Sequence, residues 1–316
     1  MGNSQAIESL ARHPTENPVR LHPCDAPTGL CRVAAMGHDA DYYDNYVGTT
    51  PEDYVRRTQL ENPEQMARMA KVVGALPPDT GSVLDVGCGG GIALHLLQKD
   101  HPGVRAVGLE KSPKTAAAAR SLFDVEVVEG SADALPFEDD AFDVVMANEV
   151  LEHLPWGVYE RTVEEICRVA RKGILITTPF AERRQFVTCP KCRCAFNPFY
   201  HLRSFDDACL QTLFPGFGRQ TLDIIWTRGR APLLYESRRL KAALGFTPPL
   251  PQHTICPQCG YRNVPKTSAK VSDTGPSKPA PRRLGRDALL KIWGAIPRPK
   301  RPRWALAAYT RDKETR

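Results

Sequence analysis

SVLDVGCGGG, residues 82–91, is an apolar strand pattern that runs straight into Gly87, Gly89 and Gly91. Glycine allows a sharp turn and a close approach of backbone to a ligand, and the free N–H groups that open the next helix favour an anionic or polar partner. Strand, glycine turn and helix in that order make a nucleotide-type cradle. The dinucleotide fingerprint GxGxxG does not match, because Ile92 stands where its third glycine would fall, and the GK[ST] ending of a phosphate loop is missing. A lone loop of this kind also fits a plain tight turn, and Cys88 inside it reads as a small filler.

Outward from that stretch the chain alternates. Strand patterns recur in VRAVGLE (104–110), VEVVEG (125–130), FDVVMAN (142–148) and GILITTP (173–179). Between them the pattern predicts a helix from Ile92 to about Lys99 and a second one capped by Ser112 with Pro113 at its first position. A third is amphipathic through Val163, Ile166, Cys167 and Ala170 and ends at Lys172 and Gly173. A helix-like run over 51–76 precedes the first strand. A helix over 205–214, a strand over 219–227 and a closing strand over 303–311 follow the fifth. Apolar strands bounded by helices at this spacing predict an α/β fold, a doubly wound, seven-stranded, mostly parallel sheet covered on both faces. The core is expected over 39–228 and 303–311. It follows an irregular, proline-scattered leader (1–38), is interrupted by a first CxxC insertion (180–203), and is closed after a second CxxC insertion with a basic linker (229–302).

With the strands in place, DVGCGGG resembles motif I of the class I S-adenosylmethionine-dependent methyltransferases, a Rossmann-like fold, and the resemblance runs from about Tyr42 to Thr227. It implies S-adenosylmethionine as cofactor, with Asp85, Gly87, Gly89 and Gly91 at the loop. Glu110, ending the second strand, has the chemistry to accept from both ribose hydroxyls, as an acid does at the analogous NAD site. In GSADALPF, Asp133 falls where the family reads the adenine amino group, with Ala134 supplying backbone. FDVVMANEVLEHL then puts Asn148 and Glu149 at the C-terminal edge of the sheet. Tyr42, Tyr43 and Tyr46 read either as a cover over the cofactor or as packing. Because the sulfonium carries its own electrophile, the protein must mainly align a nucleophile and, for a hydroxyl acceptor, remove a proton. The candidates for that base are His201, His153 and Glu149.

Ten cysteines in a chain of 316 residues without a secretory leader read as thiols or metal ligands. Cys189 with Cys192 and Cys256 with Cys259 form two CxxC pairs, enough for a closed, structural zinc site. They stand far apart in sequence. In the family's fold, however, the segments after the fifth and sixth strands emerge at the same edge of the sheet, so the two pairs are expected to meet over the substrate side. Cys194 and His201 are spare ligands, and redox or free thiols are the alternative.

The formal charge of +6 is uneven: residues 260–316 carry a net +11 and residues 1–259 a net −5. No apolar run is long enough to span a bilayer, and the expected location is cytoplasmic. Three functions follow. The first is a methyltransferase acting on a small molecule, a sugar, glycan or secondary-metabolite intermediate. The second is an RNA methyltransferase that uses the zinc clip and the basic C-terminal region. The third is a non-catalytic, zinc-dependent interaction protein.

Overall fold

A computed structural model describes residues 50–184, 186–228, 250, 254–263 and 300–313. The leader, Tyr42, Tyr43, Tyr46 and most of the basic linker lie outside the described residues. The helix-like run over 51–76 is divided. Thr50 caps α1 (Pro51–Val55), a π-helical turn covers Arg56–Leu60, and α2 (Pro63–Val73) begins afresh. Asn62 causes the division: its side chain accepts from the amides of Glu64 and Gln65 at 3.1 and 3.4 Å, and Pro63 takes the first helical position.

The alternation then proceeds as β1 (Ser82–Val86), α3 (Ile92–Asp100), β2 (Arg105–Glu110), α4 (Pro113–Phe123), β3 (Glu126–Glu129), β4 (Phe142–Asn148), α5 (Val158–Val169) and β5 (Ala170–Pro179). Ser112 caps α4 through a 3.2 Å bond from the Thr115 amide. Beyond β5 come a two-stranded hairpin, β6 (Val187–Thr188) with β7 (Ala195–Phe196), the short helix α6 (Asp207–Gln211), β8 (Phe217–Arg228) and β9 (Lys300–Arg311). The sheet order is β3-β2-β1-β4-β5-β9-β8; β9 is the antiparallel member. Since β5 and β8 both run against β9, they are parallel to each other and end at the same edge.

Three boundaries differ from the sequence expectation. Ala170 opens β5 instead of closing the amphipathic helix, and Lys172 and Gly173 lie inside that strand. Periodicity cannot see the change, because Ala170 is fully buried in the strand and also falls on the apolar stripe of the helical pattern. The helix expected over 205–214 shrinks to α6. Residues 300–302, assigned to the linker, are already strand, paired with β8 at Trp226, Thr227 and Arg228.

Neighbouring strand residues point to opposite faces, and both faces are covered. Val83, Val144, Met146 and Leu175 pack with α2, α3 and α4, while Leu84, Val86, Val145, Ile174 and Ile176 pack with α5 and the segment around Phe205. This is the doubly wound arrangement, in which ligands bind outside the carboxyl ends of the strands. No helix among the described residues is long and apolar enough to cross a membrane.

Candidate active site

The loop after β1 holds Gly87, Gly89 and Gly91 at φ of 67°, 53° and 79°, the left-handed region that favours glycine. A Cβ at Gly87 would meet Val150 Cγ2 at 2.7 Å, whereas one at Gly89 would meet nothing within 4 Å. The loop is therefore packed from below and open above Gly89. Glu110, ending β2, turns its carboxylate to this opening: Oε2 accepts from the Gly89 amide and Oε1 from the Ser112 amide, each at 2.9 Å.

Asp85 is buried one strand away, and Asn148 Nδ2 donates to its Oδ1 at 3.1 Å. Desolvation pushes the Asp85 carboxyl up to about 7, opposed by the Asn148 bond and assisted by the negative Glu110. A folded-state pKa raised above the ordinary 3.8 means that the fold prefers the protonated acid, so this group's contribution to stability is greatest near pH 4 and is lost as pH rises to 7. Asp85→Asn keeps the carbonyl acceptor without the charge. It should melt like wild type near pH 4 and be the more stable by roughly 3–5 kcal/mol at pH 8. A melting difference independent of pH would contradict this.

Asp133 sits past β3, accepting from Ser131 Oγ at 2.5 Å and from Arg161 at 2.7 Å. Burial works to raise its pKa, but these two donors hold the carboxyl below the ordinary range. The adjacent Ala134 amide donates to the Ser131 carbonyl.

The acceptor end begins one residue beyond Asn148. Glu149 has φ of 54° and donates its amide to the Thr177 carbonyl, a left-handed kink that turns the chain across the strand ends. Its carboxylate pairs at 2.5 Å with Arg68 of α2, whose guanidinium lies 4.7 Å from the centre of the Trp304 ring. A 3-10 turn over Leu151–His153 follows. His153 and His201 meet edge to face with centroids 4.9 Å apart, and Glu182 holds His201 Nδ1 at 2.5 Å. Burial, and next the facing His201, drive the His153 pKa down to about 3, so His153 stays neutral throughout the physiological range.

The two cysteine pairs meet. Cys189 and Cys259 sulfurs lie 3.7 Å apart and Cys192 and Cys256 sulfurs 3.5 Å, and all four lie within 4.8 Å of one another. Zinc–sulfur bonds of about 2.3 Å put tetrahedral sulfurs about 3.8 Å apart, so the set fits a zinc ion; a disulfide needs about 2.0 Å. The two turns repeat each other. Arg193 and Gly260, each just past the second cysteine, have φ of 64° and 65° and donate to the carbonyls of Cys189 and Cys256 at 3.0 and 2.9 Å. The Lys191 and Cys192 amides point at Cys189 Sγ, and the Gln258 and Cys259 amides at Cys256 Sγ. Tyr200, at φ 60°, reaches from the segment after β7 to donate its hydroxyl to the Ile255 carbonyl. The cysteine cluster thus fixes the residue beside His201.

Residues 83–173 match the family model for a methyltransferase domain. Over this segment the chain is similar to methyltransferase domains. The 2-methyl-6-phytyl-1,4-hydroquinone methyltransferase of Synechocystis is 36% identical over 115 residues, 34% of this chain and 34% of that protein. The ubiquinone biosynthesis O-methyltransferase of Azorhizobium caulinodans is 34% identical over 102 residues, 30% of this chain and 39% of that protein. The matches thus span little more than a third of those relatives' length. The solved magnesium protoporphyrin IX methyltransferase of Synechocystis aligns at a TM-score of 0.41 and 18% identity, covering 60% of this chain and 89% of that one.

The matched segment contains the whole predicted cofactor set, together with Glu149 and His153. His201 and all four paired cysteines lie beyond it. Sequence reasoning passed over four residues at this end: Arg68, Glu152, Glu182 and Tyr200. Glu152 stood in plain view beside His153 in EHL, and Tyr200 beside His201. Arg68 and Glu182 gave no signal, because their roles depend on contacts across the fold.

Proposed function

We propose that the chain transfers a methyl group from S-adenosylmethionine to a small hydroxyl-bearing molecule by direct displacement. The observation that carries the proposal is the Glu110 carboxylate facing a left-handed glycine loop that is open above Gly89. S-adenosylmethionine supplies the electrophilic methyl carbon. Gly87, Gly89 and Gly91 give it backbone room and Asp85 supports the loop from beneath. Glu110 accepts from the ribose hydroxyls, Asp133 and Ala134 meet the adenine edge, and Asn148 borders the methionine end.

On the acceptor side His201, oriented by Glu182, and Glu149, paired with Arg68, face the substrate. His153 is held neutral behind them. Cys189, Cys192, Cys256 and Cys259 hold a structural zinc ion, since four thiolates leave no open position for chemistry. Its task is to keep the Tyr200–His201 segment in place.

The test is release of S-adenosylhomocysteine by the full chain with quinol, phenol and sugar acceptors, and separately with RNA. Turnover with a small acceptor, insensitive to nuclease, is the expected result. Turnover that requires RNA and collapses as salt is raised would transfer the function to nucleic acid. Residues 264–299, which carry 8 of the 15 Lys and Arg residues of the basic C-terminal region, lie outside the described residues.

A further inference from the structure

Glu152 is 1% exposed, and among the described residues neither of its carboxylate oxygens has a hydrogen-bond partner on another residue. An ionised carboxylate left so would cost several kcal/mol, roughly, unless a charge faced it. Two imidazoles face it, neutral donors able to share a cation with the carboxylate: one ligand atom from each of Glu152, His153 and His201 lies within 4.8 Å of the others.

Both rings are prepared as ligands are. His201 has Nδ1 held by Glu182, which leaves Nε2 for the cluster. The Tyr200 backbone lies beside the His153 ring, and Nδ1 of that ring is buried without a hydrogen-bond partner among the described residues. A ring nitrogen fixed by a carboxylate or a carbonyl, with the other nitrogen turned inward, is the arrangement that orients metal-binding histidines. Among the charged groups that act on Glu152, Glu149 and Glu182 are acidic and Arg68 is basic. One further cation would balance the acidic groups.

We propose that Glu152, His153 and His201 bind a divalent first-row transition-metal cation, distinct from the four-cysteine site, with positions left open for the methyl acceptor. Two nitrogens and one carboxylate oxygen suit manganese, iron or zinc and leave such positions. Val150, two residues before Glu152, packs under Gly87 of the cofactor loop and ties the two sites together. Its role in catalysis rests on the proposed methyl transfer, whereas its binding does not.

In that role the acceptor is an oxygen that can ligate metal, a phenol or enol flanked by a second oxygen. Its hydroxyl loses a proton to solvent because the cation lowers its pKa. The oxygen lone pair then forms the C–O bond as the C–S bond breaks, and its electrons remain on the sulfur of S-adenosylhomocysteine. His201 in this arrangement acts through the cation and not as a free base.

The probe is Mn2+, which thiolate sites disfavour, followed by the fall of its free electron-spin resonance signal on addition of the full chain. Wild type is expected to take up one Mn2+. Glu152→Gln and His201→Ala should bind at least about tenfold more weakly, and Glu182→Gln about 10- to 100-fold more weakly. Glu152→Gln is isosteric, and S-adenosylmethionine calorimetry on each variant checks that the domain is folded. No uptake by wild type, or equal uptake by Glu152→Gln, overturns the metal site. Uptake without any S-adenosylmethionine binding would leave the metal site standing and remove the methyltransferase function instead.

Discussion

Cys256→Ser is expected to lower bound zinc from one ion per chain to less than about a tenth, and to loosen the segment that carries His201. Structural zinc contributes roughly 10–16 kcal/mol to small domains that fold around it, at neutral pH. The cluster here has little else to hold it together. Its core is Val187, Phe196 and the cysteines themselves, with Leu250 and Tyr261 at its margin. Among the described residues its regular structure is the four-residue β6–β7 pairing and the isolated Ile255–Arg262 bridge.

Without the ion, burial and the neighbouring thiols push the Cys256 thiol well above its ordinary range. The ion therefore supplies the charge that ionised sulfurs need. Loss of the second turn also removes the Ile255 carbonyl that receives the Tyr200 hydroxyl. Metal content and limited proteolysis between residues 187 and 201 read both effects. Cys167→Ser is the control: that thiol packs against the main core, where desolvation lifts it to about 12, and has no part in the cluster. Zinc retained in full by Cys256→Ser would rule out the pairing.

Glu110→Ala carries the other large effect. Two charge-assisted hydrogen bonds of about 1.5–3 kcal/mol each amount to a loss of about 10²- to 10⁴-fold in S-adenosylmethionine affinity. The same carboxylate also braces the empty loop through Gly89 and Ser112, so alanine costs some order there as well. Glu110→Gln separates the two contributions. It retains an acceptor for one amide but not the charge, and its affinity should fall between those of wild type and alanine.

Legibility in the sequence followed the range of the interactions. The glycine loop, Ser112 with Pro113 and the apolar strands are local signals, and each lies where it was expected. The Ala170 boundary was hidden because the residue that the strand buries also falls on the apolar stripe of the helical pattern. The break at Asn62 was visible in principle, since Asn-Pro is a helix-start signal; the apolar periodicity on either side of it masked the cap. The meeting of the two cysteine pairs could be inferred only through the topology of the resembling family, by way of two parallel strands ending at one edge. The acceptor end was least legible. Its Arg68–Glu149 pair joins α2 to the end of β4, and its Glu182–His201 contact joins segments on either side of the cysteine hairpin. Nothing in the local pattern announces either contact.

The measurement that bears most directly on the whole account is calorimetric titration of S-adenosylmethionine into wild-type chain and Glu110→Ala, each confirmed folded by its melting curve. Saturable one-to-one binding by wild type, weakened at least about 100-fold in Glu110→Ala, is the predicted result. No binding by folded wild type, or equal binding by both, would contradict it.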